Sequence, residues 1–375
     1  MFEHQDVLDA LNKNIPLTDK LRSIHDVVRN HFPFVDRVAV AIYDPKTDLL
    51  KTFLHSSGTD EPLTNYQAKL GDAGSLKQIL DTGRPRVIND LSIFDGGEHE
   101  HTKRIAMQEY SASYTIPMYV NESFFGFIFF NSYEKDTFKK ETLSYFDLFG
   151  HLVSLMITNE LASIRTLLAT IKTAREVTHQ RDPETGTHLD RMAHFSRLIA
   201  KELAHKYQLN DEYIEHVFLF SPLHDISKID VPDNILLKAG KLNTDEYKVM
   251  KTHTLKGREI IDHMLENFGL ENFQHIDMLR NIAEFHHETI NGKGYPLGLH
   301  NSEIPIEARI VAVADVFDAL TSRRPYKEAW SNDDAFAMLQ RMAGIELDND
   351  CVNALIKNRD EVEIIQHRFQ ENPYG

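Results

Sequence analysis

The sequence predicts two domains of different fold class. We expect an α+β N-terminal domain with an antiparallel sheet, joined by a long helix to an all-α C-terminal domain. The chain has 375 residues, enough for two or three domains. Up to about residue 150, period-2 apolar runs alternate with short helical signals. Beyond residue 178, apolar residues recur at intervals of three and four, and no convincing strand pattern is found.

The N-terminal region contains five strand candidates. In Arg37–Tyr43, the alternating residues Val38, Val40 and Ile42 fall on one face, which is typical of a half-buried strand. The apolar run Phe124–Phe130 predicts a central strand that is buried on both faces. The order of the elements predicts an antiparallel sheet with helices packed against it. The other strand candidates are Leu49–His55, Pro85–Ile88 and Ser113–Tyr119, and a short helix is expected at Leu76–Leu80.

A connecting helix follows the sheet region. It contains apolar residues spaced 4-3-4-3, as in the a/d seam of a coiled coil. We favour a parallel dimer seam, because a segment between two domains has little else to pack against. The alternative is an amphipathic helix that is docked on its own chain. The seam residues are Ile157, Leu161, Ile164, Leu168 and Ile171.

The C-terminal half has the apolar spacing of a helical domain. Met192, Phe195, Ile199 and Leu203 form one helical stripe. Further helical segments are Tyr213–Phe220, Tyr247–Met264, Ile306–Leu320 and Asp333–Met342. The expected boundaries are 1–16 for an N-terminal segment, 17–156 for the α+β domain, 157–178 for the connecting helix and 179–375 for the helical domain.

Composition excludes several classes of protein. The 57 acidic residues exceed the 41 basic ones by 16, which disfavours binding to a nucleic-acid polymer. The longest apolar stretch, Phe124–Phe130, is far shorter than the roughly 20 residues of a membrane span. The N-terminus shows no signal-peptide pattern, and the single Cys351 suits a reducing compartment. We therefore expect a cytoplasmic protein that is not embedded in a membrane.

The candidate chemistry lies in the helical half, which holds thirteen of the 20 histidines. Imidazole and carboxylate ligands together suit iron, manganese or zinc. Adjacent pairs such as His224-Asp225 and His286-His287 are poorly shaped for one metal, but they can serve neighbouring metals with a bridging carboxylate. We interpret five other histidines as helix caps or core hydrogen-bond partners: His194, His205, His216, His263 and His275.

Residues 175–370 resemble the HD-GYP family of cyclic dinucleotide phosphodiesterases, a branch of the HD metal-dependent phosphohydrolases. The resemblance rests on motifs that occur in a fixed order over nearly 200 residues. They are Arg181-Asp-Pro-Glu-Thr-Gly-Thr-His188, His224-Asp-Ile-Ser-Lys228, His253, His286-His-Glu288, Gly294-Tyr-Pro296 and Ala314-Asp-Val-Phe-Asp-Ala-Leu-Thr-Ser-Arg-Arg-Pro-Tyr-Lys327.

The resemblance implies a metal site with two or three ions, iron being the first choice and manganese the second. Asp225 would bridge two metals. Glu184 and His188 occur in family members that can hold a third metal, so we expect a trinuclear site. The implied ligands of the first two metals are His224, Asp225, His253, His286, His287 and Asp315.

The resemblance also implies roles around the metals. A metal-bridging hydroxide would attack phosphorus in line. If the helix persists after His224, Lys228 would point to the same cavity and hold phosphate or protonate the leaving 3′-oxygen. Arg324 and Lys327 would contact substrate phosphates. Tyr295 would contact a phosphate or a guanine, or would only fill a rigid turn. Asp318 would orient Lys228 or a ligand histidine.

Three positions depart from the common family pattern. Ser227 stands where the family usually has Gly, Asn291 where Asp is common, and Arg323 where an acidic residue is usual. None of the three is an implied metal ligand. The two glycines Gly292 and Gly294 either let the backbone approach a ligand or serve ordinary turn geometry.

Residues ~17–160 resemble a GAF domain, through Arg37–Asp44, Gly74-Ser-Leu, Thr82–Asp90 and the stretch from Ile116 to Ile128. The region lacks the Asn-Lys-x-x-Phe…Asp-Glu motif of cyclic-nucleotide-binding GAF domains. Two roles are possible for this region: it is either a ligand sensor or a dimerisation module that binds no ligand. A sensor joined to a helix would suit regulation by helix rotation or register shift.

The expected function is hydrolysis of cyclic di-GMP to the linear dinucleotide and on to GMP, by a homodimer assembled through the GAF-like domain and connecting helix. Cyclic GMP-AMP is a second candidate substrate, because a pocket that mainly grips phosphates discriminates bases poorly. The alternative is a catalytically silent module that binds the dinucleotide or contacts a diguanylate cyclase.

Overall fold

The protein is described from a computed structural model that covers residues 4, 6–58, 65–94, 109–177, 186–270, 275–322 and 328–370. The chain divides into two compact units, Met1–Ser163 and Ile164–Gly375. The first combines strands and helices, and the second is helical, as the apolar spacing predicts. The predicted fold class, α+β followed by all-α, is confirmed.

The first unit is built on a six-stranded antiparallel sheet with the order β3-β2-β1-β6-β5-β4. The run Phe124–Phe130 lies in β6, between β1 and β5, so the central strand is confirmed. Strand β3 has only three residues, too few for an alternation pattern to show in the sequence. The strands are β1 Arg37–Asp44, β2 Leu49–Ser57, β3 Gln67–Lys69, β4 Arg86–Ile88, β5 Ala112–Val120 and β6 Ser123–Ser132.

The described residues of this part of the chain form three α-helices: α1 Leu17–His31, α2 Gly74–Thr82 and α3 Leu143–Val177. Helix α1 was not predicted, although Leu17, Leu21, Ile24 and Val28 have helical spacing and are all buried. It packs against β2. Short 3₁₀ helices occupy Asp9–Asn12, Leu70–Asp72 and Leu91–Phe94.

An aromatic cluster holds the start of α3 against the sheet. Phe146 is fully buried, and its ring centroid lies 4.9 Å from that of Phe32 and 5.3 Å from those of Phe130 and Phe138. Gly150 allows a close approach, because a Cβ there would lie 2.4 Å from Cδ1 of Ile116. Burial of large aromatic side chains therefore joins the helix to the sheet.

Helix α3 begins at Leu143, well before the predicted start at residue 157. Three residues of the predicted dimer seam, Ile157, Leu161 and Ile164, are at most 4% exposed within the single chain. Because these side chains are already buried, the dimer seam predicted on them is wrong. The alternative, a helix docked on its own chain, describes them correctly.

By length and composition alone, one helical stretch of the described residues, Leu143–Thr170, could cross a membrane. About a quarter of its most apolar window, 24%, is buried inside the protein. Within it, Asp147 accepts a hydrogen bond from the Tyr114 hydroxyl on β5. The first turns of this helix therefore pack on the sheet.

The second unit contains α-helices and short 3₁₀ turns over its described residues, which have only isolated β-bridges. The five helical segments expected from apolar spacing are confirmed as α4, α5, α7, α9 and α10. Helices α6, α8, α11 and α12 were not predicted. The helices are α4 Gly186–Tyr207, α5 Asp211–Phe220, α6 Asp233–Leu236, α7 Thr244–Phe268, α8 Ile276–Phe285, α9 Ile306–Thr321, α10 Asn332–Met342, α11 Asn349–Lys357 and α12 Arg359–Arg368.

Helix α4 lies at the centre of this unit, against α5, α9 and α11. Its apolar stripe is buried, with Phe195 packed edge-on against Phe317 of α9. Helix α8 packs between α7 and α9, and its end lies near the 3₁₀ turn Ser221–Leu223. These contacts bring together the ends of elements that carry histidines and aspartates.

Candidate metal centre

Three histidines of the centre have the same local arrangement. In each, Nδ1 lies within hydrogen-bond distance of a backbone carbonyl three or four residues earlier in its own turn. A carbonyl only accepts, so Nδ1 carries the proton and Nε2 presents its lone pair to the centre. The pairs are His224 Nδ1 with Ser221 O at 2.9 Å, His253 Nδ1 with Met250 O at 2.7 Å and His286 Nδ1 with Ile282 O at 2.9 Å.

The carboxylate of Asp225 lies between these imidazoles and is 2% exposed. Its Oδ1 is 3.2 Å from Nε2 of His253 and 3.6 Å from Nε2 of His286. Its Oδ2 is 3.0 Å from Nε2 of His224 and 2.6 Å from Nζ of Lys228. The two oxygens thus face different histidines, which is the arrangement required of a carboxylate between two metals.

The ligand atoms form two groups in which every atom lies within 4.8 Å of the others. One group is Asp225, His253, His286 and His287, and the other is His188, His224 and Asp315. All of the predicted metal ligands that the structure describes belong to one of these groups. His188 joins His224 and Asp315 rather than standing apart. A third metal would therefore depend on Glu184, which lies outside the described residues.

The donor atoms fit metal ions. Nε2 of His253, Nε2 of His286 and Oδ1 of Asp225 are buried and have no hydrogen-bond partner. A buried polar atom without a partner costs about 1–3 kcal/mol. A divalent cation would satisfy all three atoms, and a set of nitrogen and oxygen donors suits iron, manganese or zinc.

The ionisation states also suit metal binding. Burial raises the pKa of Asp225, but Lys228 and His224 outweigh it and hold that pKa well below its usual range. Burial lowers the pKa of His286, and burial together with His286 lowers that of His287 strongly. Asp225 is therefore ionised and the imidazoles of His286 and His287 are neutral at pH 7, which are the metal-binding forms.

Asp318 orients a ligand histidine. It is fully buried, and its Oδ2 accepts a 2.6 Å hydrogen bond from Nδ1 of His188, while Oδ1 accepts one from Nε of Arg191. Burial raises the pKa of Asp318, but the bonds from His188 and Arg191 lower it below its usual value. Of the two partners predicted for Asp318, the structure brings His188 to it and not Lys228.

Arg191 is a residue that the sequence did not reveal. It also donates to the carbonyl of Phe369 and to the hydroxyl of Ser322. Its place one residue before the apolar stripe of α4 was the available signal in the sequence. In the structure Arg191 is 6% exposed, and a buried arginine requires an anionic partner.

Lys228 reaches the centre by a route that differs from the predicted one. The segment Ile226–Asp230 is a 3₁₀ helix, so no continuous α-helix runs on from His224. The tighter turn nevertheless places Nζ 2.6 Å from Asp225 Oδ2. The Lys228 side chain therefore lies where the sequence predicted it. A 3₁₀ helix places it there, and not the expected α-helix.

The loop around Tyr295 is fastened by Glu288. This buried carboxylate accepts backbone hydrogen bonds from Leu297, Gly298 and Leu299 at 2.6, 2.9 and 3.0 Å. The ring of Tyr295 then lies 4.9 Å from that of His287. Burial raises the pKa of the Tyr295 hydroxyl, so it remains a hydrogen-bond donor.

Two further residues beside Tyr295 were missed by sequence reasoning. Nζ of Lys251 lies 5.8 Å from the centroid of the Tyr295 ring and 5.3 Å from that of Tyr247. Lys251 stands two residues before His253, so its position next to a ligand was the available signal. It adds a positive charge close to the centre.

The glycines of this loop serve its own packing. A Cβ on Gly294 would lie 2.4 Å from the backbone nitrogen of Thr289. Gly292 has φ +71°, and a Cβ there would lie 2.0 Å from the ring of His300. Of the two explanations from the sequence, loop geometry is therefore the one that the contacts support.

The departures from the family pattern are accommodated where they are described. The hydroxyl of the buried Ser227 donates to the carbonyl of His253. The side-chain oxygen of Asn291 accepts from the Thr289 hydroxyl and the Lys293 amide. The candidate phosphate contacts Arg324 and Lys327 lie outside the described residues, as does Arg323.

The helical part of the chain is similar to a known family. Residues 169–351 match the family model of the HD domain. The matched residues make up slightly less than half of the chain and lie in the helical unit.

Relatives with named activities match about half of the chain. A cyclic di-GMP phosphodiesterase response regulator, RpfG, of Xanthomonas campestris pv. campestris is 45% identical over 189 residues, which are 50% of this chain and 47% of that protein. A probable cyclic di-GMP phosphodiesterase of Vibrio cholerae is 42% identical over 191 residues, 50% of this chain and 43% of that protein. A 3′3′-cGAMP-specific phosphodiesterase 2 of Vibrio cholerae is 36% identical over 181 residues, 48% of this chain and 33% of that protein. The match thus spans less than half the length of each of these relatives.

Solved structures similar to this chain include GAF domains. The phycocyanobilin-bound GAF domain of a cyanobacterial phytochrome is 14% identical, covers 41% of this chain and 92% of its own, and has a TM-score of 0.33. The GAF domain of a phosphoenolpyruvate-protein phosphotransferase from Coxiella burnetii is 14% identical, covers 42% of this chain and 90% of its own, and has a TM-score of 0.34.

Proposed function

We propose that this protein is a metal-dependent phosphodiesterase that hydrolyses cyclic di-GMP, first to the linear dinucleotide and then to GMP. The observation that carries the proposal is the buried carboxylate of Asp225, whose two oxygens face two different sets of histidines. Two relatives, 45% and 42% identical over about half of the chain, are named as a cyclic di-GMP phosphodiesterase response regulator and a probable cyclic di-GMP phosphodiesterase.

The metals would be held by the two ligand groups, with Asp225 between them. Bound there, they would lower the pKa of a water molecule and neutralise charge on the phosphate oxygens. Iron is proposed first and manganese second. A third metal bound through Glu184 and His188 extends the same proposal.

The protein's own residues would position the substrate and move protons. Lys228, whose Nζ is already beside Asp225, would hold a phosphate oxygen or donate a proton to the leaving 3′-oxygen. The hydroxyl of Tyr295 would donate to phosphate. Lys251, Arg324 and Lys327 would supply further positive charge for a doubly anionic dinucleotide.

Cyclic GMP-AMP is the second candidate substrate. A relative that is 36% identical over 181 residues is named as a 3′3′-cGAMP-specific phosphodiesterase 2, so the names of relatives include both substrates. The silent-module alternative is disfavoured, because every predicted ligand within the described residues belongs to a metal-binding group.

Regulation and assembly are also proposals. We propose that the GAF-like region at 17–156 controls the HD-type region at 179–375 through the helix at 157–178, and that the chain is a cytoplasmic homodimer. Exposed apolar residues on α3 support association along this helix, on another face than the buried stripe. They are Tyr145, Leu148 and Leu155, which are 54%, 65% and 68% exposed.

The test is a time course of cyclic di-GMP hydrolysis by the full chain, purified without oxygen, with metals counted on the same sample. Accumulation of GMP with two or three metals per chain is expected. A parallel reaction with cyclic GMP-AMP ranks the two substrates. Full metal occupancy without any product from either dinucleotide would overturn the enzymatic proposal in favour of a binding module.

A further inference from the structure

A second group of metal-ligand atoms lies in the helical unit, with no member in common with the Asp225 centre. Glu212 and His216 are on α5, four residues apart and so on one face of the helix. His275 directly precedes α8. One ligand atom from each of the three lies within 4.8 Å of the others. Nε2 of His275 is 3.5 Å from Oε1 of Glu212, and the two imidazole rings are 4.3 Å apart.

The sequence predicted that both histidines cap helices or make core hydrogen bonds. For His216 this holds for one of the two ring nitrogens. Its Nδ1 lies 2.7 Å from the carbonyl oxygen of Glu212, which can only accept. Nδ1 therefore carries the proton, and Nε2 presents its lone pair toward the other two residues. His216 is 1% exposed, and its Nε2 is buried without a hydrogen-bond partner, as is Nε2 of His275.

We propose that Glu212, His216 and His275 bind a divalent cation, Zn²⁺ being the best match, at a site separate from the Asp225 centre. Two imidazoles and one carboxylate are an established zinc ligand set, which leaves a fourth position for water. The His275 side chain is 22% exposed, so ion and water have an approach from that side. The ion would satisfy imidazole nitrogens that otherwise lie buried without partners.

The position of this site suggests a structural role. Helix α5 leads through Ser221–Leu223 directly to His224 and Asp225, and α8 ends at Phe285, directly before His286. An ion bound by α5 and by the start of α8 would tie together the two elements that carry those ligands. His275 and His286 are separated by α8, roughly 15 Å at the rise of an α-helix, so the ion would act on position and not on the substrate.

Two variants test the site in the full chain. Glu212→Gln keeps the side-chain volume and removes the charge. His275→Gly removes the imidazole at a residue with φ +61°, a conformation that glycine adopts without strain. His263→Ala is the matched control, because His263 is an exposed histidine on the neighbouring helix α7. Apo-protein prepared with a chelator is given a small excess of Zn²⁺, freed of unbound metal and analysed for zinc content.

We expect the wild-type chain and His263→Ala to hold one more zinc per chain than Glu212→Gln and His275→Gly. Zinc should also raise the thermal midpoint of the wild type by more than that of the two variants. Equal midpoints in chelator would show that the variants are folded. Equal zinc contents in all four proteins would overturn the proposal.

A measurement on the wild-type chain alone also tests the proposed second site. Crystals of the zinc-loaded wild-type chain should show an anomalous scattering peak between Glu212, His216 and His275. Peaks confined to the Asp225 centre would overturn the second site. Activity enters neither readout, so the outcome is independent of whether the chain hydrolyses cyclic di-GMP.

Discussion

The two units differ in how they arrange their buried ionisable side chains. The core of the first is largely apolar, with the aromatic cluster of Phe146, Phe32, Phe130 and Phe138 between α3 and the sheet. The second buries a similar apolar layer, but also places ionisable groups such as Asp225 at the meeting point of its helices. An apolar core stabilises the fold through the burial of apolar surface alone. A buried ionisable group, in contrast, costs free energy of folding until it is paired or bound to a metal. The first unit should therefore depend on packing, and the second on its ligands.

The largest effect is expected when the buried carboxylate of Asp225 in the second unit is neutralised. Asp225→Asn should lower the hydrolysis rate by about 10³-fold or more, because an amide cannot bridge two cations. Initial rates and metal content are measured on the same preparation. Asp277→Asn, at a carboxylate that is 84% exposed on α8, is the control and should behave as wild type. Loss of less than tenfold in Asp225→Asn would contradict the proposed role of this residue.

The matching change in the first unit is Phe146→Ala. Removing this fully buried ring should lower the free energy of unfolding by about 3–5 kcal/mol, because a cavity remains where several aromatic rings met. Urea unfolding followed by far-ultraviolet circular dichroism measures the change. Leu148→Ala, on the same helix but 65% exposed, should cost less than about 1 kcal/mol. Similar losses for the two variants would show that the aromatic cluster is not the basis of this unit's stability.

A smaller effect is expected from Glu288, which holds the Tyr295 loop. Glu288→Gln weakens three backbone hydrogen bonds and should destabilise the chain by about 1–3 kcal/mol. We expect an accompanying fall of about tenfold in the hydrolysis rate with unchanged metal content, since Glu288 belongs to neither ligand group. Glu346→Gln, an exposed position, is the control. Loss of metal from Glu288→Gln would mean that the residue acts on the centre directly.

The smallest effect concerns pH and the first unit. Burial, with a contribution from Arg37, lowers the pKa of His55 to about 4 from the ordinary value near 6.5. Between those values the unfolded chain binds more protons than the folded one, so stability should fall as the pH drops from 6.5 to 4.5, by about 1–2 kcal/mol.

His55→Gln should reduce this pH dependence, and His31→Gln, at a surface histidine of α1, should leave it unchanged. Urea midpoints at several pH values give the comparison. An unaltered slope in His55→Gln would show that other groups cause the acid sensitivity.

The elements with strong periodicity were the predictable part. Val38, Val40 and Ile42 located β1, and the stripe from Met192 to Leu203 located α4. The three-residue strand β3 is too short to show alternation. Helix α8 was not predicted, although Ile276, Leu279 and Ile282 have helical spacing and are buried.

The site shows a similar division. The ordered motifs predicted the metal ligands, and those that the structure describes lie in two groups around Asp225. The partners that orient them could not be read from the sequence: Arg191 pairs with Asp318, which is 127 residues away. The sequence could not separate His216 and His275 from ordinary core histidines either, because only the contact between α5 and α8 brings them together.

The sequence by itself therefore determined the division into an α+β and an all-α part, the principal helices and strands, and the identity of the candidate metal ligands. These features follow from local spacing and from residue chemistry, which are present in the chain before it folds. Only the tertiary structure decided that Ile157, Leu161 and Ile164 are buried in their own chain and that His188 lies with His224 and Asp315. Such outcomes depend on which helix faces meet, and that is set by packing between segments far apart in the sequence.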